Sequence, residues 1–116
     1  MNEDWRQTEI ADEVSAAARQ LAHSTRTVPS PPDSYLLLGD LGLATSGLSQ
    51  VVQQLAHWHE NVEEGIDHSG EDERGNGHAT ATAGYELRQA EAALALAAKH
   101  IASAHDANGV VRWTPR

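Results

Sequence analysis

The stretch AHWHENVEEGIDH, residues 56–68, holds three histidines and four carboxylates within thirteen positions. Imidazole nitrogens and carboxylate oxygens are common ligands of zinc and iron, and the same groups perform acid–base catalysis near neutral pH. On a helix, His57 and Glu60 share one face, whereas His59 and Glu63 form a separate pair four residues apart. Each pair could hold a divalent ion only if a second helix supplied further ligands.

The sequence patterns that usually mark such chemistry are missing from the chain. Glu-x-x-His, the ligand pair of bundle metal sites, does not occur, and neither do His-Glu-x-x-His, Gly-x-Ser-x-Gly, a phosphate-binding glycine loop or any cysteine. We therefore predict no catalytic residue, no cofactor and no metal. The alternative hypothesis is a metal-binding bundle or metal-dependent enzyme built on His57, His59, Glu60 and Glu63.

The elements that carry these residues are predicted to be helices. Apolar residues at helical spacing predict helices over 4–23, 31–64 and 80–107, with Asn108-Gly109 as a left-handed stop. The acidic, glycine-rich residues 67–79 predict a mobile connection. The fold class is thus all-α: a three-helix bundle in one domain, 1–116, whose second and third helices form a long antiparallel hairpin.

The second helix has the clearest pattern, because steps of four and three residues make every a and d position of a heptad apolar. This seam and its counterpart on the third helix are the predicted core or interface residues. They are Leu37, Leu41, Leu48, Val51, Leu55, Trp58 and Val62 on the second helix, and Leu87, Leu94 and Ile101 on the third.

The surroundings of this seam predict a partner. No residue from Leu41 to His59 is charged, and Gly39, Gly42 and Gly47 lie away from the seam, where we expect them to let another helix approach. A first helix of about 30 Å cannot cover a second helix of about 50 Å. The uncovered surface predicts a homodimer or another helical protein partner.

Composition excludes other partners. A net charge of −9 repels a phosphate backbone, so we predict no nucleic-acid binding, although an acidic decoy for a basic protein surface is a second alternative. Polar residues interrupt the uncharged run 41–59, so we predict no membrane contact. The polar start MNEDWRQTE does not have the pattern of a secretory signal, and we expect a cytoplasmic protein.

In size, acidity and hairpin layout the chain resembles the WXG100 family of small helical dimers. It departs from that family's motifs. The family has Trp-x-Gly in the turn between its helices, whereas Trp58 is followed by His59 and Glu60 inside a helix. The family's Tyr-x-x-x-Asp/Glu motif is also missing, because Tyr85 is followed four residues later by Gln89. The segment YLLLGDLGLATSGLSQVVQQLAHWHE is also similar to segments of Ala-rich helical proteins of high-GC bacteria. These likenesses imply a helical architecture, and the expected function is a non-catalytic protein–protein interaction module.

Overall fold

The computed structural model describes residues 6–27, 29–75 and 77–114. Its helices are α1 (Gln7–Ser24), α2 (Ser34–Asn61) and α3 (Ala79–Asn108), and a 3-10 turn, Pro31–Asp33, leads directly into α2. α2 and α3 pack against each other, which confirms the all-α class and the helical hairpin. Within the described ranges, no helix is long and apolar enough to cross a membrane.

The chain divides into two compact units. α1 belongs to the first, and the second, Ser34–Trp113, contains α2 and α3. α1 carries exposed apolar side chains at helical spacing, namely Ile10, Val14 and Leu21. A three-helix bundle in a single domain stays a prediction, as do the first helical residues expected at 4 and 5, which lie outside the described ranges.

The bounds of α2 follow from local chemistry. At its start the N–H of Asp33 donates to the Ser30 carbonyl (2.9 Å), in a turn that suits proline because its first residues need no N–H donor. α2 ends at Asn61, three residues before the predicted end, where the Asn61 side chain donates to the His57 carbonyl (2.7 Å). Gly65, with a φ of 89°, then forms the turn that leads away from the helix.

The connection between α2 and α3 contains two carboxylates with structural roles. Glu71 accepts hydrogen bonds from the N–H groups of Gly77 (2.8 Å) and Ala79, and so supplies acceptors at the start of α3. Asp72 pairs with Arg74 at 2.8 Å, and hydrogen bonds from that arginine hold the pKa of Asp72 below its ordinary value. The mobility expected for 67–79 stays a prediction.

α3 ends at Asn108, and Gly109 follows with a right-handed backbone instead of the left-handed stop that Asn-Gly predicts. Its φ is −63°. The glycine is needed for space, since a Cβ at this position would lie 2.9 Å from Cε1 of Tyr35. The close approach of α2 and α3, and not the turn geometry, therefore explains this residue.

The hairpin packs large side chains of α3 over small residues of α2. Leu87, Leu94 and Ile101 are half-buried on one face of α3. The α2 face that meets them is a series with steps of four and three: Leu38, Gly42, Thr45, Ser49, Val52, Ala56 and His59. Of these, Thr45 and Ala56 are buried, and the Ser49 hydroxyl donates to the Glu91 carbonyl across the hairpin (3.3 Å).

Two of the three α2 glycines expected to allow close approach do so. A Cβ on Gly39 would lie 3.1 Å from Nε2 of His105, and one on Gly42 would lie 3.4 Å from Cγ2 of Ile101. Gly47 differs, because a Cβ there would have no neighbour within 4 Å. The first two glycines thus admit side chains of α3, and Gly47 faces open space.

Candidate interaction surface

The predicted seam of α2 lies one residue before the face that packs on α3. Its central residues, which we call the α2 stripe, are exposed: Leu41 (37%), Leu48 (40%), Val51 (48%), Leu55 (46%) and Trp58 (56%). Leu37 and Val62, at the two ends, are half-buried. The stripe therefore does not form the centre of the hairpin, which differs from what the heptad pattern indicates for a core.

A physical reason for this shift is the size of the α3 side chains. Gly42 leaves room for Ile101, and the small residues Ala56 and Gly84 let the two backbones approach, whereas leucine facing leucine would force the helices apart. A turn of 100° per residue then places the stripe on one side of the contact face. Its length from Leu41 to Trp58 is about 26 Å at 1.5 Å per residue.

Alanines of α3 extend this apolar side of the hairpin. Ala83, Ala90 and Ala97 precede the contact residues Leu87, Leu94 and Ile101 by four positions, a rotation of about 40° in the same sense as that of the stripe on α2. In an antiparallel pair this offset places both sets along the same edge. The three alanines are half-buried, so the stripe and its neighbours form a surface that is bulky on α2 and flat on α3.

The opposite side of the contact face is a shallow groove with a different lining. Its volume is about 410 Å³, and Gly39, Gly42 and Ser46 of α2 and Ala98, Ala102 and His105 of α3 line it. Leu36 and Leu43 stand at its α2 side with 66% and 75% of their surface exposed. His105 and Asp40 are polar members of an otherwise mainly apolar lining. The groove thus contains a charged residue, whereas the stripe does not.

The four metal-ligand candidates have other contacts. Both carboxylate oxygens of Glu60 accept from Arg88, at 2.9 and 2.8 Å, and this arginine also donates to Glu91 at 3.0 Å. Hydrogen bonds from Arg88 hold the pKa of Glu60 below its ordinary value, and Glu60 in turn raises the pKa of the guanidinium. Nδ1 of His59 lies 2.8 Å from the Leu55 carbonyl oxygen.

The other two candidates have different hydrogen-bond partners. Nδ1 of His57 lies 3.5 Å from Nδ2 of Asn61. The backbone N–H of Glu63 donates to the Asp67 carboxylate at 2.8 Å. Across the described part of the chain, no three His, Asp or Glu side chains converge as a metal site would require. Sequence spacing did not predict the Arg88 partner, because it comes from 28 residues away.

The open end of the hairpin has its own polar contacts. The rings of Tyr35 and His105 stack with centroids 4.0 Å apart, and Asn108 donates to the Ser34 hydroxyl at 3.0 Å. The indole N–H of Trp113 donates to the Asn108 side chain at 3.3 Å. Polar contacts thus join α2 and α3 at both ends of the hairpin. The stripe lies between these contacts and contains no charged residue.

No family model, curated protein or solved structure matches this chain. The resemblance to WXG100-like hairpins therefore stays a prediction about architecture. The hairpin has a long exposed apolar surface, polar contacts between α2 and α3 at both ends, and a shallow groove. The chemistry of the stripe is that of packing against another apolar surface.

Proposed function

We propose that this protein is a non-catalytic helical interaction module that self-associates through the α2 stripe. One observation carries the proposal: the most regular apolar heptad of the chain is exposed on the hairpin instead of being used in its centre. Contiguous exposed apolar surface of this kind marks protein–protein contact sites, because its exposure to water is unfavourable. The stripe is the surface that a coiled-coil partner would cover.

The charge distribution favours a second copy of the same chain as the partner. Two molecules of net charge −9 repel each other, and that repulsion is smallest where no charge is present. The run Leu41–His59 meets this condition, since it contains no Asp, Glu, Lys or Arg. A strongly basic partner would instead need acidic residues within the stripe, where the sequence has none.

The exposed area suits a reversible dimer. The five stripe residues expose 37–56% of their surface, which amounts to about two whole side chains per copy. At about 1.5–3 kcal/mol per side chain, burying them in two copies stabilises the dimer by roughly 7–14 kcal/mol. Association costs about 4–15 kcal/mol, so the two terms nearly cancel at the middle of their ranges, and a micromolar dissociation constant, about −8 kcal/mol, requires the upper end of the burial range and the lower end of the cost.

A charge placed in the stripe tests the proposal. Leu48→Glu introduces a carboxylate at the centre of the stripe, and Leu43→Glu makes the same change on another side of α2, where the leucine is 75% exposed. Sedimentation velocity from micromolar to millimolar concentration is expected to show dimer formation for the wild type and Leu43→Glu, but only monomer for Leu48→Glu. Circular dichroism should show that all three keep their helices.

Two outcomes would contradict the proposal. One is a wild-type chain that stays monomeric at the highest concentration, and the other is a Leu48→Glu variant that dimerises as well as Leu43→Glu does. The expected absence of catalysis, the cytoplasmic location and the absence of nucleic-acid binding stay predictions. No observation on the described residues favours the metal-binding alternative, because the carboxylate of Glu60 is already paired with Arg88.

A further inference from the structure

We infer that the two copies pair antiparallel through α2, with the symmetry axis between Leu48 and Val51. This inference rests on the proposed self-association and specifies its geometry. In that arrangement Leu48 of one copy meets Val51 of its partner, and Leu41 meets Trp58. Three properties of the stripe and its surroundings lead to this geometry: symmetry of spacing, complementarity of size and distribution of charge.

The spacing of the seam is symmetric about this point. Antiparallel coiled coils place an a position of one helix opposite a d position of the other. Reading the seam from both ends pairs a with d at every layer: Leu37 with Val62, Leu41 with Trp58, Ala44 with Leu55, and Leu48 with Val51. The whole seam is therefore self-complementary around a two-fold axis, as an isologous dimer requires.

Side-chain size favours the same orientation. Antiparallel pairing sets Leu55 against the partner's Ala44, so a large residue meets a small one. A parallel dimer would instead stack Trp58 on the partner's Trp58 at one end and leave two Ala44 side chains facing each other. Trp58 is 56% exposed, and the indole needs more room than a like-with-like layer provides.

Charge separates the two orientations most clearly. Residues 60–74, at the connected end of the hairpin, carry seven acids and one base, a net charge of −6. The open end, 33–40 with 97–113, carries three acids and two bases, a net charge of −1. A parallel dimer places two strongly acidic ends side by side.

Antiparallel pairing relieves this repulsion. The acidic end of one copy then lies beside the open end of its partner, which carries Lys99 and Arg112. The two acidic ends are separated by at least the length of the stripe, about 26 Å. That distance is about three Debye lengths at physiological ionic strength, so their mutual repulsion is largely screened.

The absence of cysteine from the sequence allows a direct test by disulfide cross-linking. Single-cysteine variants Ala44→Cys and Leu55→Cys are oxidised separately and as a mixture. In the antiparallel dimer, position 44 of one copy faces position 55 of its partner. The two positions 44 are about 16 Å apart, as are the two positions 55, and this distance is too long for a disulfide. We expect roughly ten-fold more cross-linked product from the mixture than from either variant alone.

Two further variants complete the design. Leu48→Cys lies next to the axis and is expected to cross-link to itself, while Leu43→Cys, 75% exposed outside the stripe, is expected to stay uncross-linked. Efficient self-cross-linking of Ala44→Cys and of Leu55→Cys would overturn the antiparallel geometry and leave self-association intact. Wild-type protein is sedimented in parallel, and a monomer there would overturn the proposed function itself.

Discussion

Enlarging Ala56 tests the hairpin packing most directly. Ala56 is 0% exposed and faces α3. The approach is close here, because a Cβ on Gly84 of α3 would lie 3.7 Å from the Ala56 carbonyl oxygen. Ala56→Leu adds three carbon atoms to a position without free space, so the helices must separate or slide. Such overpacking typically costs about 1–3 kcal/mol.

The size of the effect can be measured as a change in Tm. For a unit of this length, about 1–3 kcal/mol corresponds to a fall of roughly 5–20 °C. Thermal unfolding followed by circular dichroism, at one fixed protein concentration, measures this change. Ala92→Leu is the matched control, since it makes the same substitution at an exposed position of α3, where Tm is expected to change by no more than a few degrees.

A specific result would refute the small-residue packing. If Leu41, Leu48 and Leu55 faced α3, the side chain of residue 56 would turn toward the edge of the hairpin. Leucine at this position would then add apolar burial, and Tm would stay constant or rise. An Ala56→Leu variant as stable as the Ala92→Leu control therefore means that the heptad seam, and not its neighbouring series, packs on α3.

Two further predictions concern glycine positions and the ion pair. Gly47→Ala should raise the free energy of unfolding by roughly 0.5–1 kcal/mol, because alanine lowers the conformational entropy of the unfolded chain and the new methyl group has space. Urea denaturation should show a smaller gain or a loss for Gly39→Ala, where a Cβ would lie 3.1 Å from Nε2 of His105. The pKa of Glu60 is lowered by Arg88, so this carboxylate stabilises the folded state above its ordinary pKa of 4.5, and the contribution disappears as pH falls through the lower folded value. Urea midpoints measured from pH 6 to pH 2 should therefore fall less steeply below pH 4.5 in Glu60→Gln than in the wild type; equal slopes would contradict this role.

The sequence predicted the helices well because their signals are local. Proline at the start of α2, the glycine-rich connection and the apolar periodicity each depend on neighbouring residues. The end of α2 was placed three residues too late, since periodicity continues to Val62 while Asn61 and Gly65 end the helix. Hydrogen bonding at the helix end, and not hydrophobicity, determines this boundary.

The packing face of α2 was harder to predict. Hydrophobic periodicity selects the most apolar stripe, but two helices in close contact favour the stripe whose side chains let them approach. That second pattern is visible in the sequence as small residues with the same alternating steps, at Gly42, Thr45, Ser49 and Ala56. Recognising it requires knowing that Leu87, Leu94 and Ile101 will lie opposite, which is a relation between distant segments.

The histidines and acids at 56–68 show the same limit. Their spacing identifies which of them share a helical face, but the partner of Glu60 is Arg88 from the other helix. The ion pair is exposed, and pairs of this kind contribute little to stability. Its role is better described as fixing the register of α2 and α3 near their connection.

The buried interior of the hairpin has a consequence for how the protein responds to dilution. Across the described ranges, Ala56 is the one hydrophobic residue that is buried, and Leu87, Leu94 and Ile101 are half-buried, so a separate copy leaves apolar surface that a partner can still cover. When a partner covers this surface, each ten-fold fall in the free partner removes about 1.4 kcal/mol of stabilisation as long as its concentration exceeds the dissociation constant, and below that concentration little of this stabilisation is left. The amount of protein present then sets how much stability each copy gains from its partner, and separate copies are the form that proteases attack more readily.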